Sequence, residues 1–215
     1  MELITSETGQ TLQLIHMDEV RPLRGGVFAP DLRKAIIDRY RFQSVAAQTE
    51  PGQPLKFEIG LKEINGLKIP ITSLEIYQDG VIVNTHHTDD SDAVMDEFIG
   101  WIAETLSLRQ PKTWLPRRYT SRIVVDLARS AGETFFTNFV KLNEIITSAL
   151  GAPLDGLQPQ ISFAPHPPGE LQASRTWSFY PRIGQPYAPN RYFSFAPLPT
   201  PVHYEMLCAL EAVAN

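Results

Sequence analysis

"KFEIGLKEINGLKIPITSLEIYQDGVIVNTHH", residues 56–87, decides the fold. Three runs rich in β-branched and large apolar residues, 56–64, 67–77 and 81–87, are separated by Asn65-Gly66 and Asp79-Gly80. Both dipeptides tolerate the positive φ that two-residue hairpin turns demand, so the spacing predicts a three-stranded antiparallel meander. Pro70 lies inside the middle run and has no amide hydrogen, which predicts a bulge or an unpaired segment there.

Upstream, residues 2–17 read as a strand pair about a turn at Glu7-Thr8-Gly9-Gln10. Pro22, Gly25, Gly26 and Pro30 punctuate a loop. Leu32, Ala35, Ile36 and Tyr40 then recur at helical spacing, which predicts a helix with one buried stripe. Downstream, Met95, Phe98, Ile99, Ile102 and Leu106 predict a second helix from about Asp92 to Leu106. A linker at 110–116 leads to a strand over 117–127. Ser130 and Glu133 have the spacing of a capping box, ahead of a helical stripe of Phe135, Phe139, Leu142, Ile146 and Ala149.

Beyond residue 151 the composition changes, with eleven of the eighteen prolines in the last 65 residues. Aromatic-rich strands are expected over 160–165, 173–180 and 191–197, broken by prolines that suit sheet edges. Thr200-Pro201 offers an N-cap and an N1 proline for a last helix, with Val202, Met206, Leu210 and Val213 expected to face inward. The fold class expected is α+β: an antiparallel meander sheet flanked by about four helices, with proline- and aromatic-rich C-terminal strands. It reads as a single compact domain over 1–215, with an internal boundary to be sought near 110–116 or 151–158.

Composition narrows the function. Of the 215 residues 43% are hydrophobic and 20% charged, ordinary for a globular protein with a sizeable core. The net charge of −5 disfavours a surface built wholly for nucleic acid. No apolar run is long enough to span a bilayer, and the N-terminus lacks the pattern of a signal peptide, so no membrane partner is expected. The single cysteine, Cys208, accords with a reduced cytoplasmic protein.

The densest chemistry is His86-His87-Thr88-Asp89-Asp90-Ser91-Asp92. Adjacent strand residues point to opposite faces, so at most one of His86 and His87 can join Asp89 or Asp90 in a metal site. The simpler reading places Asp89, Asp90 and Asp92 at a helix N-terminus, where carboxylates accept orphan N–H groups and oppose the dipole. No metal site is therefore assigned. Residues 109–129 carry six basic side chains against one acidic, just after six acidic ones over 89–104. Arg117, Arg118 and Arg122 are the anion-binding candidates, opposed by the reading that this basic strand pairs with the acidic helix. No nucleophile elbow and no phosphate loop is present, so no catalytic residue and no cofactor is assigned, and the chain reads as leaning away from enzymes.

The C-terminal third is rich in aromatic residues and arginine and poor in lysine and glutamate, as interface cores are. Arg175, Trp177, Phe179, Tyr180, Tyr187 and Tyr192 are the interface candidates, the alternative being that these rings complete the domain's own core. The function expected is a non-catalytic protein-interaction or assembly subunit of a larger cytoplasmic complex, with a protein partner or self-association. Alternatives are a nucleic-acid or anion-binding module using 109–129, and a metal-dependent enzyme using the His86–Asp92 cluster. Nucleic acid is the less favoured partner.

Overall fold

The computed structural model describes residues 1–15, 29–46, 53–77, 79–106, 114–128, 161–163, 176–182 and 190–214. The fold is α+β. The described residues form nine strands and three helices: β1 Glu2–Leu14, α1 Ala29–Tyr40, β2 Ser44–Val45, β3 Leu55–Ile64, β4 Leu67–Ile76, β5 Gly80–Thr85, α2 Thr88–Thr105, β6 Arg118–Asp126, β7 Ile161–Phe163, β8 Trp177–Pro181, β9 Arg191–Ala196 and α3 Thr200–Ala214. Among the described residues there are three helices, against about four expected. The helix anticipated over 130–149 lies outside the described residues, as does most of the loop at 21–30. No described helix is long and apolar enough to cross a membrane.

The chain divides into two compact units, Thr8–Thr120 and Met1–Glu7 with Ser121–Asn215. Strands β1 and β6 each run through both. The proline-bounded linker at 110–116 lies just upstream of the division at Thr120–Ser121.

In the Thr8–Thr120 unit the strands pair antiparallel in the order β2-β3-β4-β5-β1. The Asn65-Gly66 turn forms as expected: Ile64 pairs with Leu67, and both turn residues have positive φ, 52° and 80°. The second turn is displaced by one residue from Asp79-Gly80. Tyr77 N–H donates to the Gly80 carbonyl, and Gly80 is the first residue of β5 and not a central residue of the turn. A Cβ on Gly80 would lie 2.8 Å from the Gln13 carbonyl, so close approach of β1 explains this glycine. Pro70 makes no bulge either. It sits in register opposite Leu61, and β5 pairs with β4 only over Ser73–Ile76, so no ladder bond is required of its missing N–H. The irregularity falls at Ile59, a β-branched residue at φ 55° whose carbonyl receives the Gln43 amide.

The core of this unit lies on one sheet face. Phe57, Leu74 and Val83 face one another across β3, β4 and β5, each fully buried. Helix α1 adds Ile36 and Tyr40, and α2 adds Val94, Met95 and Phe98. The rings of Tyr40, Phe42, Phe57, Phe98 and Trp101 form a connected aromatic cluster.

The expected strand pair at residues 2–17 is instead one continuous strand of 13 residues, β1. Gly9 is therefore not a turn glycine. A Cβ there would meet backbone atoms of His87 and Thr88 at 2.2 and 2.3 Å, so the strand runs directly against the β5–α2 junction.

In the other unit the order is β6-β9-β8-β7, antiparallel throughout. Ile123, Val125, Leu127, Phe179, Tyr192 and Leu207 form its core. Helix α3 presents a different face from the one expected. Thr200, His203, Leu207 and Glu211 are buried, whereas Val202 and Leu210 are 46% and 38% exposed.

Gly9→Ala is expected to cost roughly 3 kcal/mol or more, because backbone atoms of another element cannot yield as a side chain can. Thermal or urea unfolding of the variant checks this. A loss under ~0.5 kcal/mol, the range of ordinary surface substitutions, would show that β1 does not require the close approach.

Candidate functional site

Helix α2 begins at Thr88, four residues earlier than periodicity indicated, and its N-cap is His87. The His87 Nδ1 accepts the Asp89 amide at 3.2 Å and lies 3.6 Å from the Asp89 carboxylate. The imidazole lone pair thus serves the cap. Asp89 and Asp90 occupy the first turn, as the dipole favours. Among the described residues no group of three or more His, Cys, Asp or Glu is arranged to hold a metal.

Asp92 has another role. It faces β1 and the segment leading into β6, where it gathers a polar cluster. Its Oδ1 accepts from Arg117 Nη1 at 3.0 Å and from Thr11 Oγ1 at 3.1 Å, and its Oδ2 accepts from Tyr119 at 3.0 Å. Arg117 Nη2 also pairs with Asp96, and its Nε donates to Gln13 Oε1 at 3.2 Å. Gln13 Nε2 donates to the Leu115 carbonyl at 2.9 Å. Thr11 and Ser91, both fully buried, lie 2.7 Å apart. Because the Ser91 hydroxyl donates to the Thr88 carbonyl, the single Thr11 hydrogen is shared between Ser91 and Asp92. Burial alone would lower Arg117, but Asp96 and Asp92 together hold it above its ordinary value.

Above this cluster is an open cleft of about 560 Å³, within the size range of small-ligand sites. Its lining includes Asp96, Ile99 and Gly100 of α2 together with Trp114 and Arg117. Sequence reading singled out Arg117 but missed Thr11 and Gln13. The signal lay in the Thr11-Leu12-Gln13-Leu14 alternation. Here the polar residues are buried and the leucines half-buried, so β1 turns a polar edge toward α2.

A second cluster on α2 gathers at Glu97. Arg39, Tyr40 and Lys62 all reach its carboxylate, with Arg39 over the Trp101 ring at 4.9 Å and Lys62 over Tyr40 at 5.2 Å. Burial raises the Glu97 carboxyl, but the bonds from Tyr40, Arg39 and Lys62 outweigh it and leave the group below its ordinary range. Burial and the same carboxylate push the Tyr40 phenol up.

In the unit holding residues 121–214, His203 lies fully buried between two serines, 2.8 Å from Ser121 Oγ through Nδ1 and 2.8 Å from Ser194 Oγ through Nε2. Trp177 Nε1 donates to Ser194 at 3.1 Å. Ser194 can therefore accept from Trp177 and donate to Nε2, leaving Nδ1–H to donate to Ser121. Both serines are sealed from solvent, so this chain packs the interior and offers no path for a substrate. These two serines lie on β6 and β9. Nearby, Glu211 pairs with the N-terminal amine of Met1 and accepts the Ala128 amide at 2.9 Å.

The aromatic candidates divide between two sheet faces. Phe179 and Tyr192 stack at 4.7 Å within the core, and Trp177 stacks on Phe179 at 6.0 Å. Tyr180 is on the opposite face, 5.5 Å from Phe193. Arg122 and Arg182 lie over the same Phe193 ring, at 4.3 and 5.4 Å. The two guanidinium groups share Glu7, at 3.3 and 3.9 Å. The Arg122 contact has ion-pair distance without hydrogen-bond geometry, and its buried Nε is left without a hydrogen-bond partner. Arg118 is exposed at the start of β6. The structure thus does not bring Arg117, Arg118 and Arg122 to one point: Arg117 serves the aspartates of α2, and Arg122 faces Glu7. Arg175 and Tyr187 lie outside the described residues, as do Arg109, Lys112, Arg129, His16 and His166.

Burial lowers the His203 pKa to about 4 from an ordinary 6.5. Between those values the unfolded chain binds a proton that the folded one does not, so stability is full above about pH 6.5 and is lost as pH falls toward 4. Relative to His203→Gln, the wild-type protein is expected to lose roughly 3 kcal/mol more stability between pH 7 and pH 4. The low-lying Glu97 and Glu211 carboxylates are common to both proteins and cancel. Unfolding curves at a series of pH values check this, and a constant difference between the two proteins would remove His203 as the cause.

No protein-family model matches the chain, and no curated protein matches it significantly.

Proposed function

We propose that the chain is a non-catalytic interaction subunit of a larger assembly, which docks an acidic segment of a protein partner on the Phe193 face of β6, β8 and β9. The observation that carries this reading is the pair of guanidinium groups, Arg122 and Arg182, over one half-buried ring with one carboxylate, Glu7, between them. Among the described residues, two cations against one anion leave this patch in want of a carboxylate. Tyr180 and Phe193 supply rigid apolar area beside it. Arginine and aromatic residues dominate interface hot spots for these reasons: planar bidentate pairing, and large area at small entropic cost.

Of the aromatic candidates, Tyr180 belongs to this face, while Trp177, Phe179 and Tyr192 support it from the core side of the same strands. A reducing, cytoplasmic setting accords with the single cysteine. Anion or nucleic-acid binding through Arg117, Arg118 and Arg122 together is the weaker reading, since Arg117 already serves two aspartates.

Arg182→Glu replaces a cation at this face with an anion at a side chain that is 30% exposed. The native mass of the purified assembly is expected to fall toward that of the isolated chain, with partner affinity at least tenfold weaker and Tm within about 2 °C of wild type, as for other surface substitutions. Cross-links from the partner should map to β8 and β9. A wild-type chain that is strictly monomeric and carries no partner, or a variant that keeps its partner, would defeat the reading.

A further inference from the structure

We infer that the cleft between α2 and the 114–117 segment is a binding site for an organic cation, an alkylammonium or alkylguanidinium group on an apolar stem. Among the described residues, three charged side chains meet beside the cleft: Arg117, Asp92 and Asp96. Asp92 is fully engaged by Arg117, Thr11 and Tyr119, so it neutralises the guanidinium from within. Asp96 is the excess carboxylate. Its side chain is 70% exposed at the cleft rim, while Arg117 beneath is only 21% exposed. A cation approaching from solvent therefore meets the carboxylate before the guanidinium.

Shape and polarity agree. Trp114 lines the same cleft and is 37% exposed, unusual for a tryptophan with a core available to it. A tryptophan and a carboxylate lining one cleft can attract ammonium and guanidinium groups, through the ring quadrupole and the ion pair together. Ile99 and Gly100 add apolar lining. A Cβ built on Gly100 would meet nothing within 4 Å, so the helix surface there is open. Glycine inside a helix is unfavourable relative to alanine, and an open cleft gives its presence a reason. The lysine or arginine side chain of a peptide and a free alkylamine share this chemistry. The site lies wholly within the Thr8–Thr120 unit and is independent of the Phe193 face.

The experiment titrates the ¹⁵N-labelled full-length chain with butylguanidinium, with N-acetylarginine methylamide, and with butyrate and butanol as controls. The readout is the indole N–H resonance of Trp114, assigned by its absence in Trp114→Phe. Both cations are expected to shift it saturably, with Kd in the millimolar range, as one exposed cation–π contact and one ion pair warrant. Tighter binding of the blocked arginine identifies a peptide side chain as the source, and equal or weaker binding a free amine. Gly100→Leu projects an apolar side chain from this open helix surface into the cleft and should abolish the shift with Tm unchanged or raised. Asp96→Asn should weaken it at least fivefold. Saturation by butyrate instead of the cations would make this an anion site of Arg117 and overturn the inference. So would no saturable shift by either cation, or cation binding that survives Gly100→Leu.

Discussion

The approach of the Gly9 backbone to His87 and Thr88 is the contact on which the Thr8–Thr120 unit depends. A strand cannot lie at van der Waals distance from a helix start if it carries a Cβ at that point, and at Gly9 it carries none. With β1 held there, its next inward residues, Thr11 and Gln13, fall opposite Ser91 and beside Arg117. Thr85 completes the junction by donating to the His87 carbonyl at 2.6 Å. The cap of α2, the anchoring of Asp92 and the placement of Arg117 all follow from one missing methyl group.

Both units bury polar groups that an apolar core would exclude, and in each the groups are satisfied by one another. Thr11, Ser91 and Asp92 form one such set, and His203 with Ser121, Ser194 and Trp177 another. Leaving one member unpaired costs about 1–3 kcal/mol, more than a typical bond contributes. These networks thus specify one arrangement of strands and helices more than they add to net stability. Single replacements at these positions are expected to destabilise for that reason.

The charges along the chain are segregated in sequence but mixed in space. The acidic run of α2 meets Arg39 and Lys62 through Glu97, and meets Arg117 through Asp92 and Asp96. Of the basic stretch before β6, Arg117 is thereby compensated within its own unit. Among the described residues, the clusters at Phe193 and at Trp114 each hold one more charge of one sign than of the other, and these are the places proposed for partners.

What the sequence alone determined is what short segments encode. Asn65-Gly66 places both φ angles in the left-handed region whatever surrounds it, and the alternation of Phe57, Leu74 and Val83 marks three strands of one face. The apolar spacing of Met95, Phe98 and Ile102 is helical on any background. Tertiary structure decided everything that requires a distant neighbour. Gly9 reads locally as a turn, and only the backbone of His87 shows why it is in a strand. Val202 and Leu210 read as the inward face of α3, yet Glu211 answers the amine of Met1 and His203 answers serines on β6 and β9, which turns that face outward. Thr11 meets Ser91 across 80 residues of chain. Local dihedral preference carries no information about such a partner, because which face is buried is set by what packs against it.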